Sequence, residues 1–170
     1  MKKLKIFSLF SCLLLCVSCK FYSFSGISIP PGTESFQVNY FQNDAALIEP
    51  GIERTFTFAL QDLIVNQSSL NLTDTGGDLI YEGEIVDYYI APQTATSENV
   101  AAQNRLTIAV NVRFINTKVE DGSADFTKRY SFFVDRPGTS QFVGANLDGA
   151  IEEIFERITQ DIFNDSLADW

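Results

Sequence analysis

Histidine is missing altogether from the 170 residues. That removes the commonest general base and the commonest metal ligand together. Cysteine is scarce as well: there are three, and all fall within the first 19 positions, at Cys12, Cys16 and Cys19. The body of the chain therefore can assemble neither a Ser-His nor a Cys-His nucleophile. Basic residues are few, 12 against 22 acidic, for a net charge of −10. So negative a surface repels phosphate backbones, and no nucleic-acid partner is expected. No apolar run reaches the ~20 residues that a membrane-spanning helix requires. Glycine-rich phosphate cradles are absent too. Thr75-Gly76-Gly77 precedes a strand-like stretch, whereas an anion cradle opens onto a helix N-terminus.

What is present begins at the N-terminus. Lys2, Lys3 and Lys5 form a positive head, Ile6 to Val17 carries no charge, and Ser18 places a small residue before Cys19. That order is the pattern of a secretory signal peptide. An Ala-x-Ala-like cleavage site is lacking. Leu15-Cys16-Val17-Ser18-Cys19 instead resembles a bacterial lipobox, with Cys16 standing where leucine is commoner. The expected division is a signal peptide over 1–18, a lipidated tether over 19–33 and one domain over 34–170. Cys19 would be the lipidated first residue of the mature protein. Acyl chains contribute ~0.8 kcal/mol per buried methylene, so two or three of them anchor the protein to a membrane without spanning it. Once the leader and its three lysines are gone, nine basic side chains face 22 acidic ones, which makes adsorption on anionic lipid unfavourable and the anchor more necessary.

Fifteen phenylalanines and 45% hydrophobic residues predict a packed core. Phe36, Val38 and Tyr40 alternate with Gln37 and Asn39, predicting a first strand over 35–41. After Pro50, the residues Ile52, Phe56, Ala59, Leu60, Leu63 and Ile64 recur at helical spacing to about Gln67. Asp78 to Ile90 is β-rich; Leu79, Tyr81 and Ile85 share a face, and Gly83 signals a bulge or a close backbone approach. In 105–116, Leu106, Ile108, Val110, Val112 and Phe114 oppose Arg105, Thr107, Asn111 and Arg113. Phe126, Tyr130, Phe132 and Val134 alternate with Thr127, Arg129 and Ser131 in a last strand, stopped by Arg136-Pro137-Gly138. Asn146 is the expected N-cap of a second helix whose stripe runs from Leu147 through Ile151, Ile154, Phe155 and Ile158 to Phe163. The expected fold class is α+β, in the order β-α-β-β-β-α: a two-layer sandwich with a mostly antiparallel four-stranded sheet and both helices on one face.

Candidate chemistry is thin. Asp74-Thr75-Gly76 matches the Asp-Thr-Gly triplet of aspartic proteases, but so short a motif recurs by chance and reads as a loop. Glu82, Glu84 and Asp87 crowd one strand, where exposed carboxylates are more often solvated than catalytic. No enzyme activity and no cofactor are expected. The one concentration of opposite charge is Arg105, Arg113, Lys118, Lys128 and Arg129. Two readings stay open: a solvated sheet face with charge-paired rows, or a patch for an anionic ligand such as lipid phosphate.

Several short stretches carry a family resemblance. They are the lipobox, Tyr22-Ser23-Phe24-Ser25-Gly26, Ser28-Ile29-Pro30-Pro31, Val38-Asn39-Tyr40-Phe41, Gly77-Asp78-Leu79 with Tyr81-Glu82-Gly83-Glu84-Ile85, Asn104-Arg105-Leu106-Thr107-Ile108, and Asp161-Ile162-Phe163-Asn164 near Trp170. In this order they resemble LptE, the lipopolysaccharide-assembly lipoprotein, in the form found in Bacteroidetes. The resemblance implies a non-enzymatic outer-membrane lipoprotein that plugs the LptD β-barrel, helps that barrel assemble and helps insert lipopolysaccharide into the outer leaflet. It draws attention to Arg105, inside the Asn-Arg-Leu-Thr run, and to Arg113 on the same predicted face. Bacteroidetes surface-export signals carry acidic residues after the lipid cysteine, whereas Lys20, Phe21 and Tyr22 follow it here, so the periplasmic side is expected. The rival reading is a stand-alone periplasm-facing lipoprotein that binds a peptide, lipid or glycan.

Overall fold

The structure is a computed structural model, and it describes residues 29, 31–47, 49–93, 103–138 and 140–168. The expected signal peptide, Cys19 and most of the expected tether lie outside the described residues. The elements in chain order are β1 (Ser35–Val38), β2 (Gln42–Asn43), α1 (Ile52–Gln67), β3 (Asn71–Leu72), β4 (Leu79–Gln93), β5 (Gln103–Asn116), β6 (Phe126–Pro137) and α2 (Ala145–Leu167).

The sheet is mixed and six-stranded, in the order β3-β1-β4-β5-β6 with β2 also on β4. This corrects the expected four-stranded, mostly antiparallel sheet. β1 runs parallel to both β3 and β4, and β2 runs parallel to β4. Only the β4-β5-β6 meander is antiparallel. The reason is connectivity. α1 carries the chain back across the sheet after β1, so the next long strand points the same way as the first. β2 and β3, of two residues each, are too short to show any periodicity.

A one-residue bulge separates β1 from β2. Val38 pairs with Tyr81, yet Gln42 pairs with Glu84, four positions along one strand against three along the other. The extra residue reverses the inward parity. Phe41 is buried in the core and Tyr40 is turned outward at 57% exposure, the reverse of the simple alternation expected for Tyr40. A second bulge in β4, between Ile85 and Asp87, explains why that strand keeps no single alternation.

One core fills the space between the sheet and the two helices. It takes Leu79, Tyr81 and Ile85 from β4, Leu106 to Phe114 at alternate positions from β5, and Tyr130 and Val134 from β6. Against these pack Phe56, Leu60 and Ile64 of α1 and Ile154, Phe155, Ile158 and Ile162 of α2. Both apolar stripes fall as the periodicity predicts. Phe41, Phe56 and Phe155 form an edge-to-face chain at 4.9 and 5.0 Å between ring centroids, joining sheet, first helix and second helix. Each helix follows an upward strand, so the two descend side by side in the same sense. Phe56 meets Phe155 near the top, and Gln67 donates to Gln160 at 3.0 Å further down.

The helix starts differ from expectation. Gly51, at φ 83°, precedes α1, and Gly144, at φ 53°, precedes α2; neither helix has a side-chain cap. Asn146 sits inside the first turn instead of capping it. The Leu147 and Asp148 amides donate to the Gly144 carbonyl, so backbone closes this end.

Candidate functional site: the outer face of the sheet

The face of the β4-β5-β6 meander turned away from the helices carries the charge. Its β5 side chains are Arg105, Thr107, Ala109, Asn111 and Arg113, the odd-numbered positions opposite the core set. β6 adds Thr127, Arg129, Ser131, Phe133 and Asp135, which directly oppose Arg113, Asn111, Ala109, Thr107 and Arg105. β4 adds Glu82 opposite Arg113, Glu84 opposite Asn111 and, beyond its bulge, Asp87 opposite Ala109.

Each member of the acidic crowd on β4 has a partner on this face, and two of the five basic residues supply them. Arg113 Nη1 donates to Glu82 at 3.0 Å. Arg129 pairs with Asp87 across the intervening strand. Asn111 Nδ2 donates to Glu84 at 3.2 Å. Arg105 makes a two-pronged contact, Nε and Nη2 to the two oxygens of Asp135 at 2.7 and 2.8 Å. Its guanidinium also lies 3.6 Å from the centre of the Phe133 ring. Planar guanidinium suits both contacts at once, so Arg105→Lys would not be conservative.

The other two predicted residues lie elsewhere. Lys118, in the turn after β5, reaches Asp78 at 2.8 Å. Lys128 shares the parity of Tyr130 and so faces the helix layer, where Lys128 Nζ and the Tyr130 hydroxyl both donate to Asp165 of α2, at 2.5 and 2.7 Å. The structure thus gathers Arg105, Arg113 and Arg129 on one face and separates Lys118 and Lys128 from them. Phe133 and Asp135 were not singled out from the sequence, although strand parity with Arg129 places both on this face.

The aspartate of the Asp-Thr-Gly-Gly-Asp stretch nearest the sheet is structural. Asp78 accepts from the Glu34 and Ser35 amides at 2.8 and 3.1 Å and from Lys118. Lys118 first, then the Glu34 amide, hold its carboxyl well below the usual carboxylate range. The Arg105 hydrogen bonds lower Asp135 in the same way. At Asp165, burial pushes the carboxyl up, but the bonds from Lys128 and Tyr130 outweigh it. Burial, reinforced by Asp165, pushes the Tyr130 phenol up and keeps it a donor.

These depressed carboxyls fix the sign of an acid transition. A group bound more weakly by protons when folded stabilises the fold fully above its unfolded pKa of about 4 and loses that contribution as the pH falls through the folded value. The melting temperature should therefore fall steeply below about pH 4, and Asp78→Asn should flatten that limb while lowering the plateau above about pH 5. Thermal melts across this range check it; an acid limb unchanged in the variant would contradict the assignment.

Among the described residues, no three His, Cys, Asp or Glu side chains gather into a metal-sized group. No described helix is long and apolar enough to cross a membrane.

The comparisons with known proteins follow the same outline. The model of the lipopolysaccharide-assembly family LptE matches residues 33–166, the whole sandwich. No curated protein matches significantly. Among solved structures, a hypothetical protein from Chlamydia trachomatis is similar at 10% identity, covering 81% of this chain and 99% of its own, with a TM-score of 0.53. A PelC dodecamer subunit from Paraburkholderia phytofirmans, at 7% identity, covers 79% and 90% with a TM-score of 0.49. A minor lipoprotein from Acinetobacter baumannii, at 13% identity, covers 79% and 96% with a TM-score of 0.43. At these identities the first of the three supports a shared fold and nothing finer.

Proposed function

This chain belongs to the lipopolysaccharide-assembly family LptE, and from that premise we propose that it seats inside the barrel of LptD, helps that barrel assemble and assists the passage of lipopolysaccharide to the outer leaflet. The family is a non-enzymatic family of outer-membrane lipoproteins, and its role is in lipopolysaccharide assembly. Attachment here would run through a lipid on Cys19, with the domain on the periplasmic side of the outer membrane.

The observation that carries the reading is the extent of the family match, which takes in every element of the sandwich. The outer sheet face supports the plug in particular. Its arginines are matched by carboxylates, so its charge is nearly balanced, with the exposed rings of Phe133 and Tyr89 flanking Thr107 among them, and such charge-paired rows suit the polar surround of a barrel lumen.

For contact with lipopolysaccharide, Arg105, Arg113 and Arg129 are the residues in place, with Lys118 and Lys128 outside that face. An anionic headgroup would have to displace Glu82, Asp87 or Asp135 from its arginine. Exchange is easiest at Arg113, whose side chain is 61% exposed. Recovered from detergent-solubilised envelopes, the lipidated protein should bring with it a large β-barrel, and its depletion should lower the assembled form of that barrel. Normal barrel levels after depletion would contradict the proposal and favour a stand-alone lipoprotein.

A further inference from the structure

The helix layer carries a feature that the plug reading does not use. Between α1 and α2 runs an open groove of about 890 Å³. Its floor is apolar, with Ala59 and Leu63 of the first helix facing Ile151 and Phe155 of the second. Phe58 stands on its wall with 55% of its surface exposed. The groove extends from Ile52 to Asn66 along α1, about 21 Å at 1.5 Å per residue, or four helical turns.

Its rim is acidic. Asp148, Glu152 and Glu156 line the α2 side at successive four-residue intervals, a straight row on one helix face, and Asp62 faces them from α1. Arg54 is the one cation among the lining residues. The contrast with the outer sheet face is chemical. There, Glu82, Asp87 and Asp135 each have an arginine; here, among the described residues, none of these four carboxylates is within ion-pair distance of a cation.

We infer that this groove is a docking site for a basic amphipathic helix of a partner protein. An apolar floor one helix wide takes an apolar stripe. Carboxylates repeated every four residues match lysines or arginines repeated every four residues on the incoming helix. Charge decides against other occupants. A second copy of this chain, itself strongly acidic, would bring its own carboxylates against the row. Anionic lipid headgroups are repelled for the same reason. The site lies in the helix layer, on the opposite side of the domain from the charge-paired sheet face, and does not depend on the plug reading.

The test uses purified full-length protein in detergent, with no barrel present. The probe is a fluorescein-labelled 18-residue Leu/Lys peptide designed as an amphipathic helix, and its binding is read by anisotropy. Two comparison peptides are a Leu/Glu version and a scrambled Leu/Lys version without helical periodicity. The amphipathic Leu/Lys helix should bind at least about tenfold more tightly than either, with affinity falling as salt rises. Glu152→Lys with Glu156→Lys, and separately Phe58→Ser, should each weaken it by about tenfold. All three positions are exposed enough for the fold to survive, which circular dichroism checks, and the uncharged exchange Thr127→Ser on the sheet face should change nothing. Equal binding of the scrambled peptide would overturn the inference, as would undiminished binding by the charge-reversed variant.

Discussion

Gly83→Ala is expected to destabilise the protein by about 3 kcal/mol or more, a large share of the usual margin of ~5–15 kcal/mol. A Cβ at this position would stand 2.0 Å from the Asn111 carbonyl oxygen and 2.8 Å from the edge of the Phe41 ring. The carbonyl belongs to β5, the strand paired with β4 over its whole length. It cannot retreat without opening that ladder beside two neighbours that hold it in place. Phe41 cannot retreat either, because its ring is buried against Phe56. The bulge that turns Phe41 inward and the glycine that makes room for it are one arrangement. Gly149 is the matched control. It lies in α2 with nothing within 4 Å of a would-be Cβ, so Gly149→Ala should stabilise by about 0.5–1 kcal/mol. Denaturant unfolding of both variants checks the pair, and equal effects would refute the close approach.

Phe56→Ala should cost about 3–5 kcal/mol, the range for removing a fully buried aromatic ring. Phe56 is the middle ring of the three that join the sheet to both helices, and it has no exposed surface. Its loss would leave a cavity at a point where all three parts of the core meet. Phe56→Leu should recover more than half of the stability, since it restores most of the volume and sacrifices chiefly the edge-to-face contacts. Chemical denaturation of the two variants separates these terms. A Phe56→Leu variant no more stable than Phe56→Ala would mean that ring geometry, more than volume, holds the junction.

The contrast between these residues marks how far the amino-acid order could be read. Both helical stripes and the three strands of the meander were legible because each repeats its signal over ten or more residues, and Gly83 was legible because a glycine amid β-formers calls for an explanation. The bulge after Val38 was not, since one inserted residue leaves no local trace while it exchanges the roles of Tyr40 and Phe41. The two-residue strands Gln42–Asn43 and Asn71–Leu72 were invisible for want of length, and with them went the parallel half of the sheet. At the charged face, parity alone placed Arg105, Arg113 and Arg129 together, and it also removes Lys128, which alternates with the core residue Tyr130. The partners stayed hidden because they are distant in sequence: Asp135 lies 30 positions from Arg105, and Asp165 lies 37 from Lys128. The helix groove shows the same limit in reverse. On α2 alone, Asp148, Glu152 and Glu156 are three exposed carboxylates at four-residue spacing, and only the neighbouring α1 turns them into the wall of a channel.

The measurement closest to the central claim is site-specific photocrosslinking in intact cells, with the reactive side chain placed at Thr127 on the outer sheet face. The LptE-type account predicts one dominant adduct of high mass containing a β-barrel of the outer membrane, formed only when Cys19 is intact. A crosslinker that captures nothing but lipid or solvent at that position, in cells where the barrel is abundant and assembled, would contradict it.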